Sequence, residues 1–336
     1  MIRVGIVGAT GYTALELIKI LLRHPEVTVT SLTSRDPERP HVSDVHPLFR
    51  DQLDLNFSPL DVDQFCSDVD FAFCCLPHAA SAEIVGQLIN KGLKVVDFSA
   101  DYRLNDVSTF ETWYKVTHPD PDRVGKTAYG IPELFRESII GAELVANPGC
   151  FPSSALIPLV PLVKSGLIKT TPIIVDSKTG ISGAGRKANL KFHYPECNES
   201  ISAYGIGTHR HMPEINQIIE RFCGSKTNVV FTPHLTPMDR GILSTIYVSA
   251  ADGQEAEDVM DCWNDFYKSQ PFVRVTSGAV LTKHVSGTNF CDVSAGKCGD
   301  TIVITSALDN LIKGASGAAV QNFNVMSGFD ETLGIL

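Results

Sequence analysis

The chain has 336 residues, 43% hydrophobic and 20% charged, with 26 Gly and 19 Pro, a folded globular composition long enough for two hydrophobic cores. Its 28 Lys and Arg against 38 Asp and Glu leave a net charge of −10 with no basic run, which disfavours nucleic-acid and anionic-membrane partners. No apolar stretch reaches the ~18 residues of a transmembrane helix, and the longest, from Ala155 to Val163, is broken by Pro158 and Pro161.

In chain order, Ile2 to Val7 reads as a buried strand and Tyr12 to Arg23 as a helix. Ala14, Leu15, Ile18, Leu21 and Leu22 share its apolar face, Glu16 and Lys19 lie off it, and His24-Pro25 stops it. Strands follow at Val27–Thr33, Asp70–Leu76 and Lys94–Phe98, the last two flanking a helix from Ala79 to Asn90. This rhythm predicts a doubly wound parallel sheet with helices on both faces. Beyond a proline-rich stretch the pattern turns to strands at Pro172–Asp176, Asn228–Pro233, Gly241–Ala250, Phe272–Thr276 and Thr301–Ala307. Helices fall at Pro213–Cys223 and Ala256–Tyr267. The fold class is therefore α/β, a dinucleotide-binding parallel sheet plus a second α+β domain with a mixed sheet. The domains are placed at 1–149 and 150–309, with the helical C-terminal segment, about 310–336, returning to the first.

The run GIVGATGYTA at 5–14 closes the first strand and opens the first helix. Gly8 and Gly11 permit a tight turn and close approach to a pyrophosphate, which the helix N-terminus then favours, so Gly8, Thr10, Gly11, Tyr12 and Thr13 are cofactor-binding candidates. An NAD site places an acid at the tip of the second strand; here the tip reads Thr33-Ser34-Arg35. A hydroxyl beside a guanidinium suits a 2′-phosphate and makes NADP the expected cofactor, although Asp36 follows at once and Arg35 as a solvated loop charge stays open.

The nine cysteines include no C-x-x-C pair and no zinc spacing, and their odd number fits free thiols in a reducing, cytoplasmic compartment. The opening residues lack a signal-peptide cleavage pattern. Cys150 stands apart in ANPGCFPSS (146–154), where Pro-Gly turns the chain and Pro152 suits the first turn of a helix. A thiol at a helix N-terminus feels the positive end of the dipole, which stabilises thiolate, and the backbone N–H groups there can hold an oxyanion. By local chemistry alone a reactive and a structural thiol are both open. In THRHMPEI (208–215) two histidines flank an arginine at a helix entrance. H-x-H alone is a weak metal signal, no metal is expected, and a base with anion binding is the better reading beside an activated cysteine. His24, His41, His46, His118 and His284 read as surface or structural residues.

GIVGATGYT, DFSADYRL (97–104), ANPGCFPS, SGAGR (182–186), HRHMPEI, PHLTPMDRGILSTIYV (233–248) and KGASGAAVQNFNVMSGFDET (313–332) together resemble the N-acetyl-γ-glutamyl-phosphate reductase family of arginine biosynthesis, within the wider aspartate-semialdehyde dehydrogenases. The likeness spans essentially the whole chain. It departs at Ala14, where the family often has Gly, at Lys178-Thr179, and at Pro158, where a helix kink is expected. The resemblance implies NADPH-dependent reduction of N-acetyl-γ-glutamyl phosphate to N-acetyl-L-glutamate 5-semialdehyde through a Cys150 thioacyl enzyme, with His211 handling the proton. It further implies Arg103, His209, Asn147 and Lys187 as substrate contacts, Ser182, Gly183, Gln321 and Asn322 as cofactor contacts, and a homodimer or homotetramer formed through the second domain. Gln321 and Asn322 could instead pack the last helix. Relatives acting on aspartyl phosphate or a lysine-pathway acyl phosphate share the catalytic residues, and a non-catalytic NADPH sensor is the alternative from another class.

Overall fold

The computed structural model describes all 336 residues, in two compact units: Met1–Pro148 with Ala315–Leu336, and Gly149–Gly314. No helix is long and apolar enough to cross a membrane.

In the first unit, β1 (Ile2–Val7), α1 (Tyr12–Leu21), β2 (Val27–Thr33), β3 (Phe57–Ser58), β4 (Phe71–Cys74), α2 (Ala82–Asn90), β5 (Lys94–Asp97), β6 (Ala128–Tyr129), α3 (Pro132–Ile139) and β7 (Leu144–Ala146) build a seven-stranded sheet in the order β3-β2-β1-β4-β5-β7-β6. Every neighbouring pair is parallel. All four residues of β4 are buried, as are the last four of β1, the mark of a sheet covered on both faces. The chain leaves β1 toward β2 and β3 and returns on the other side as β4. The crevice beyond the carboxyl ends of β1 and β4 is therefore the topological switch point, where doubly wound sheets take their ligands.

Helix α1 buries Ala14, Leu17, Ile18, Ile20 and Leu21, and it also buries Glu16, which the helical face had placed toward solvent. Lys19 one turn on pairs with that carboxylate at 2.9 Å and so makes its burial tolerable. The C-terminal segment begins with a π-helical turn, Ile312–Ser316, and becomes α-helical only at Gly317–Ser327. The α-helical part packs against α1, α3 and β5, and Phe323 meets Phe71 edge-on at 4.7 Å.

The second unit contains α4 (Cys150–Ser165), β8 (Ile168–Thr179), β9 (Ser202–Ala203), α5 (His211–Cys223), β10 (Val229–Leu235), β11 (Ile242–Ala250), α6 (Ala256–Phe266), β12 (Val273–Val275), β13 (Cys291–Cys298) and β14 (Thr301–Leu308). Its sheet runs β12-β13-β14-β11-β8-β10-β9, with β8/β10 and β12/β13 parallel and the other pairs antiparallel. Strand β13 has no counterpart among the sequence expectations, because Gly296 and Lys297 interrupt its apolar alternation.

Helix α4 is buried on every side from Phe151 to Val163 and is one element through Pro158 and Pro161. Pro161 has no N–H for the Ile157 carbonyl, and the Tyr267 hydroxyl donates to that carbonyl instead. Trp263 Nε1 donates to the Pro158 carbonyl at 2.9 Å. Buried donors on and just beyond α6 thus serve the backbone around both prolines.

Candidate active site

In the first unit the loop after β1 forms an open cradle. Gly8 adopts φ +80°, and a Cβ there would lie 2.9 Å from the Cys75 carbonyl oxygen, so only glycine fits. Gly11 is the N-cap of α1, has no side-chain cap, and has no atom closer to a built Cβ than Thr13 Oγ1 at 4.0 Å. The first N–H groups of α1 need partners from outside the helix, and the Cβ position at Gly11 is unobstructed, so Gly8 to Thr13 suit a pyrophosphate. Strand β2 is tied to this loop: Gly8 N–H donates to Thr33 Oγ1 at 3.2 Å and Ala9 N–H to the Thr33 carbonyl at 2.9 Å. Ser34 and Arg35 therefore follow directly on the cradle's second wall, with Arg35 exposed and Ser34 Oγ accepting from Asp36 N–H. Thr33 is a support the sequence reading passed over.

Other candidates in this unit make hydrogen bonds within its framework. Arg103 is buried; its Nε donates to the Asn147 carbonyl and its Nη2 to the Phe98 carbonyl, both at 2.7 Å. These two donors clasp two segments of backbone. Asn147 Nδ2 donates to the Ala315 carbonyl and its Oδ1 accepts from Asn322 Nδ2 at 3.1 Å. Gln321 is enclosed, its Nε2 donating to Glu133 Oε1 and Glu331 Oε2. Asn322 is buried as well, its Nδ2 also donating to the Gly130 carbonyl at 2.9 Å. His24, His46 and His118 are likewise buried, against Asn324 Oδ1, the Ala9 carbonyl and the Asp101 carbonyl.

In the second unit Cys150 is the first residue of α4, half-buried, with Gly149 as N-cap. His211 is the first residue of α5, which starts two residues before Pro213. The two helix starts meet at Gly149: a Cβ built there would lie 2.5 Å from His211 Nε2. Glycine at 149 is what lets the imidazole come so close to the backbone next to the thiol. Glu214, one turn into α5, accepts a hydrogen bond from Gly149 N–H at 2.9 Å. Glu214 is part of HRHMPEI, but nothing local assigns it a role, because an acid in a first helical turn is ordinary dipole matching.

His209 sits in an edge-to-face ring cluster, 4.9 Å from His211, 5.2 Å from Phe231, 5.5 Å from Tyr204 and 5.6 Å from Phe151 between centroids. Burial, with a smaller push from the Arg210 charge, brings its pKa down to about 4. The His211 N–H donates to His209 Nδ1 at 3.2 Å, so the single ring proton resides on Nε2. His209 is therefore neutral at physiological pH and accepts from the backbone of His211, so that a substrate contact would be made by its Nε2–H and not by a cation. Burial raises the Tyr204 hydroxyl well above the usual phenol range, and Cys150 raises it further. Ser182 is buried, donating to the Asp239 carbonyl at 2.6 Å and accepting from Asn310 Nδ2 at 3.0 Å. Gly183 and Lys187 are exposed on the following loop. No cluster of three or more His, Cys, Asp or Glu could hold a metal ion.

Residues 3–142 match the family model described as semialdehyde dehydrogenase, NAD binding domain, and residues 150–310 that described as semialdehyde dehydrogenase, dimerisation domain. Among solved structures, aspartate semialdehyde dehydrogenase II from Vibrio cholerae, complexed with ASA, superposes with a TM-score of 0.73 at 18% identity, covering 97% of this chain and 98% of that one. The Candida albicans aspartate semialdehyde dehydrogenase with NADP gives 0.71 at 16%, with 97% and 98% covered. At such identities the likeness speaks for the fold alone. Three curated relatives, from Rhodopirellula baltica (52% identical), Desulforudis audaxviator (44%) and Geobacter sp. (47%), each align over all of this chain and 98% of their own, and each is named N-acetyl-gamma-glutamyl-phosphate reductase. With a glycine cradle at its switch point, a cysteine and a histidine at two meeting helix starts, and full-length identity of this order, the chain belongs to the N-acetyl-gamma-glutamyl-phosphate reductase family.

Proposed function

We propose that this chain reduces N-acetyl-γ-glutamyl phosphate to N-acetyl-L-glutamate 5-semialdehyde with NADPH, releasing phosphate, through a thioacyl enzyme on Cys150. The observation that carries this reading is the close approach of His211 Nε2 to Gly149, the residue before Cys150. A thiol at a helix start beside an imidazole is an activated nucleophile with its base.

His211 takes the Cys150 thiol proton. The sulfur then attacks the acyl carbon, the carbon–oxygen bond to phosphate breaks, and phosphate leaves with the bonding pair. NADPH, when bound, supplies the hydride that reduces the resulting thioester carbon. The N–H groups of Cys150 and Phe151 have no partners within α4 and are suited to the oxyanion formed at each step. As the carbon–sulfur bond breaks, His211 returns the proton to Cys150 and the aldehyde departs. Gly8, Thr10, Gly11, Tyr12 and Thr13 would hold the pyrophosphate, and Ser34 with Arg35 the 2′-phosphate, where a guanidinium on a phosphate is a charge-assisted contact. Lys187 and Gly183, exposed on the loop after β8, are assigned to substrate and cofactor respectively.

The working form we infer is a homo-oligomer built through the uncovered face of the second sheet. Ile174, Val230 and Tyr247 stand side by side there on β8, β10 and β11, each more than a third exposed. Val230→Lys together with Tyr247→Lys is expected to lower the mass seen by light scattering, and an unchanged mass would place the interface elsewhere.

Mass spectrometry of the enzyme mixed with the acyl phosphate in the absence of NADPH tests the covalent step. The expected result is an acyl adduct on Cys150, and an adduct on another residue would overturn the mechanism.

A further inference from the structure

We propose that Glu214 is a positioning residue, whose buried carboxylate fixes the start of the Cys150 helix against the start of the His211 helix and thereby sets the spacing of nucleophile and base. The proposal rests on the roles given above to Cys150 and His211. Glu214 lies three residues after His211, so the two side chains leave α5 on the same face. Both reach one residue at the start of the other helix: Glu214 Oε1 accepts from Gly149 N–H at 2.9 Å, and His211 Nε2 lies 2.5 Å from where a Cβ on Gly149 would be. The link joins positions 65 apart in sequence, and it is made to the residue adjoining the thiol.

The chemistry of the position argues for more than filling space. Glu214 is 1% exposed, and a carboxylate withdrawn from water costs stability unless its oxygens are bonded. Its neighbours on α5, Ile215, Ile218 and Ile219, show that the helix packs with aliphatic side chains wherever volume alone is needed. Only an acceptor at 214 can hold the Gly149 amide, which lies outside the hydrogen-bonded turns of α4 and has no helical carbonyl to bond. Glu214 bonds the backbone next to the nucleophile. Its effect would reach the chemistry through alignment, and a displacement of about 1 Å can cost ~10²-fold in rate.

Two variants separate this role from general packing. Glu214→Gln keeps an oxygen acceptor and is expected to retain near wild-type kcat. Glu214→Ala is expected to lose ~10²-fold in kcat with KM for NADPH unchanged. The limb of the kcat pH profile that disappears in His211→Asn is expected to shift in the Ala variant and hold in the Gln variant. Should the Ala variant fail to fold, Gly149→Ala probes the same joint from the other side, since its new Cβ must displace the His211 ring; kcat is expected to fall while NADPH binding persists. Wild-type kcat and pH profile in Glu214→Ala, or in Gly149→Ala if that variant is the one measured, would overturn the proposal. So would a Gln variant as impaired as the Ala variant. Failure of the underlying mechanism would show separately, as turnover surviving in Cys150→Ser.

Discussion

The two sheets have seven strands each and are built on opposite plans. In the first, parallel pairing puts every strand's carboxyl end on one edge, and β4 is buried at all four positions because both faces are covered. In the second, Ile242, Ser244, Ile246 and Val248 of β11 point to the helices while Leu243, Thr245 and Tyr247 face outward, so one face is a core and the other a surface. A sheet covered twice can offer ligands only its edge, and that edge carries the glycine cradle. A sheet covered once is a platform: its helices bring Cys150 and His211 together at their starts, and its other face is open. In the function proposed above the two plans divide the work, cofactor binding to one and covalent chemistry to the other.

The sharpest way to break this division is at the thiol. Cys150→Ser is expected to abolish turnover while leaving NADPH binding and thermal stability near wild type, since a serine hydroxyl is un-ionised at neutral pH and its ester is reduced less readily than a thioester. Iodoacetamide should label Cys150 faster than the exposed Cys298. Cys74 and Cys75 should label last, because burial pushes both thiols far up. An active serine variant would remove covalent chemistry from the second unit.

His211→Asn should slow turnover by ~10²–10⁴-fold, the usual size of a general acid–base contribution, again with NADPH affinity kept. On the other side of the comparison, Arg35→Asp should raise the KM for NADPH by roughly ten- to a hundredfold and that for NADH little. Equal losses for both cofactors would take the 2′-phosphate away from Arg35. Arg103→Leu is expected to act on stability, by about 1–3 kcal/mol for each of the two carbonyls left unbonded, read as a lower urea midpoint. An unchanged midpoint with a raised substrate KM would restore Arg103 to the anion site.

The smallest expected effect is in the pH dependence of stability, where the two units have opposite signs. His209 titrates near 4 in the folded chain against an ordinary 6.5, so between these values only the unfolded chain holds the proton. Its contribution is complete above about pH 6.5 and is lost as pH falls toward 4. Asp97 in the first unit is pushed up by burial to about 6 from 3.8, with Ser99 and Ser81 pulling the other way through hydrogen bonds. Here the folded chain keeps the proton longer, so the contribution is complete below 3.8 and is lost as pH rises through about 6. Denaturant titrations across pH 4 to 6.5 should show His209→Gln removing the fall toward acid and Asp97→Asn removing the fall toward neutrality. If either variant left the profile unchanged, that group would have no shifted titration in the folded state.

What the sequence by itself determined were the features written in short windows. Periodicity located β1, α1, β2 and the alternating strands, the glycine spacing located the cradle, and Pro-Gly before Cys150 located a helix start bearing a thiol. Each depends on residues within about one turn or one strand of each other, where local sterics and burial leave little choice. Only the tertiary structure decided what each polar side chain bonds to. Arg103 was legible as a cation near a strand end, yet that two of its donors go to the carbonyls of Phe98 and Asn147 was not. His209 was legible as one of two histidines at a helix entrance, yet the rings closing around it, from Phe151 through Tyr204 to Phe231, set its neutrality. Glu214 lay within HRHMPEI without a legible role, because the amide it holds belongs to a residue 65 positions earlier in the chain. Desolvation and hydrogen-bond partnership depend on which distant segments fold back to surround a group, and that information exists only once the chain has closed on itself.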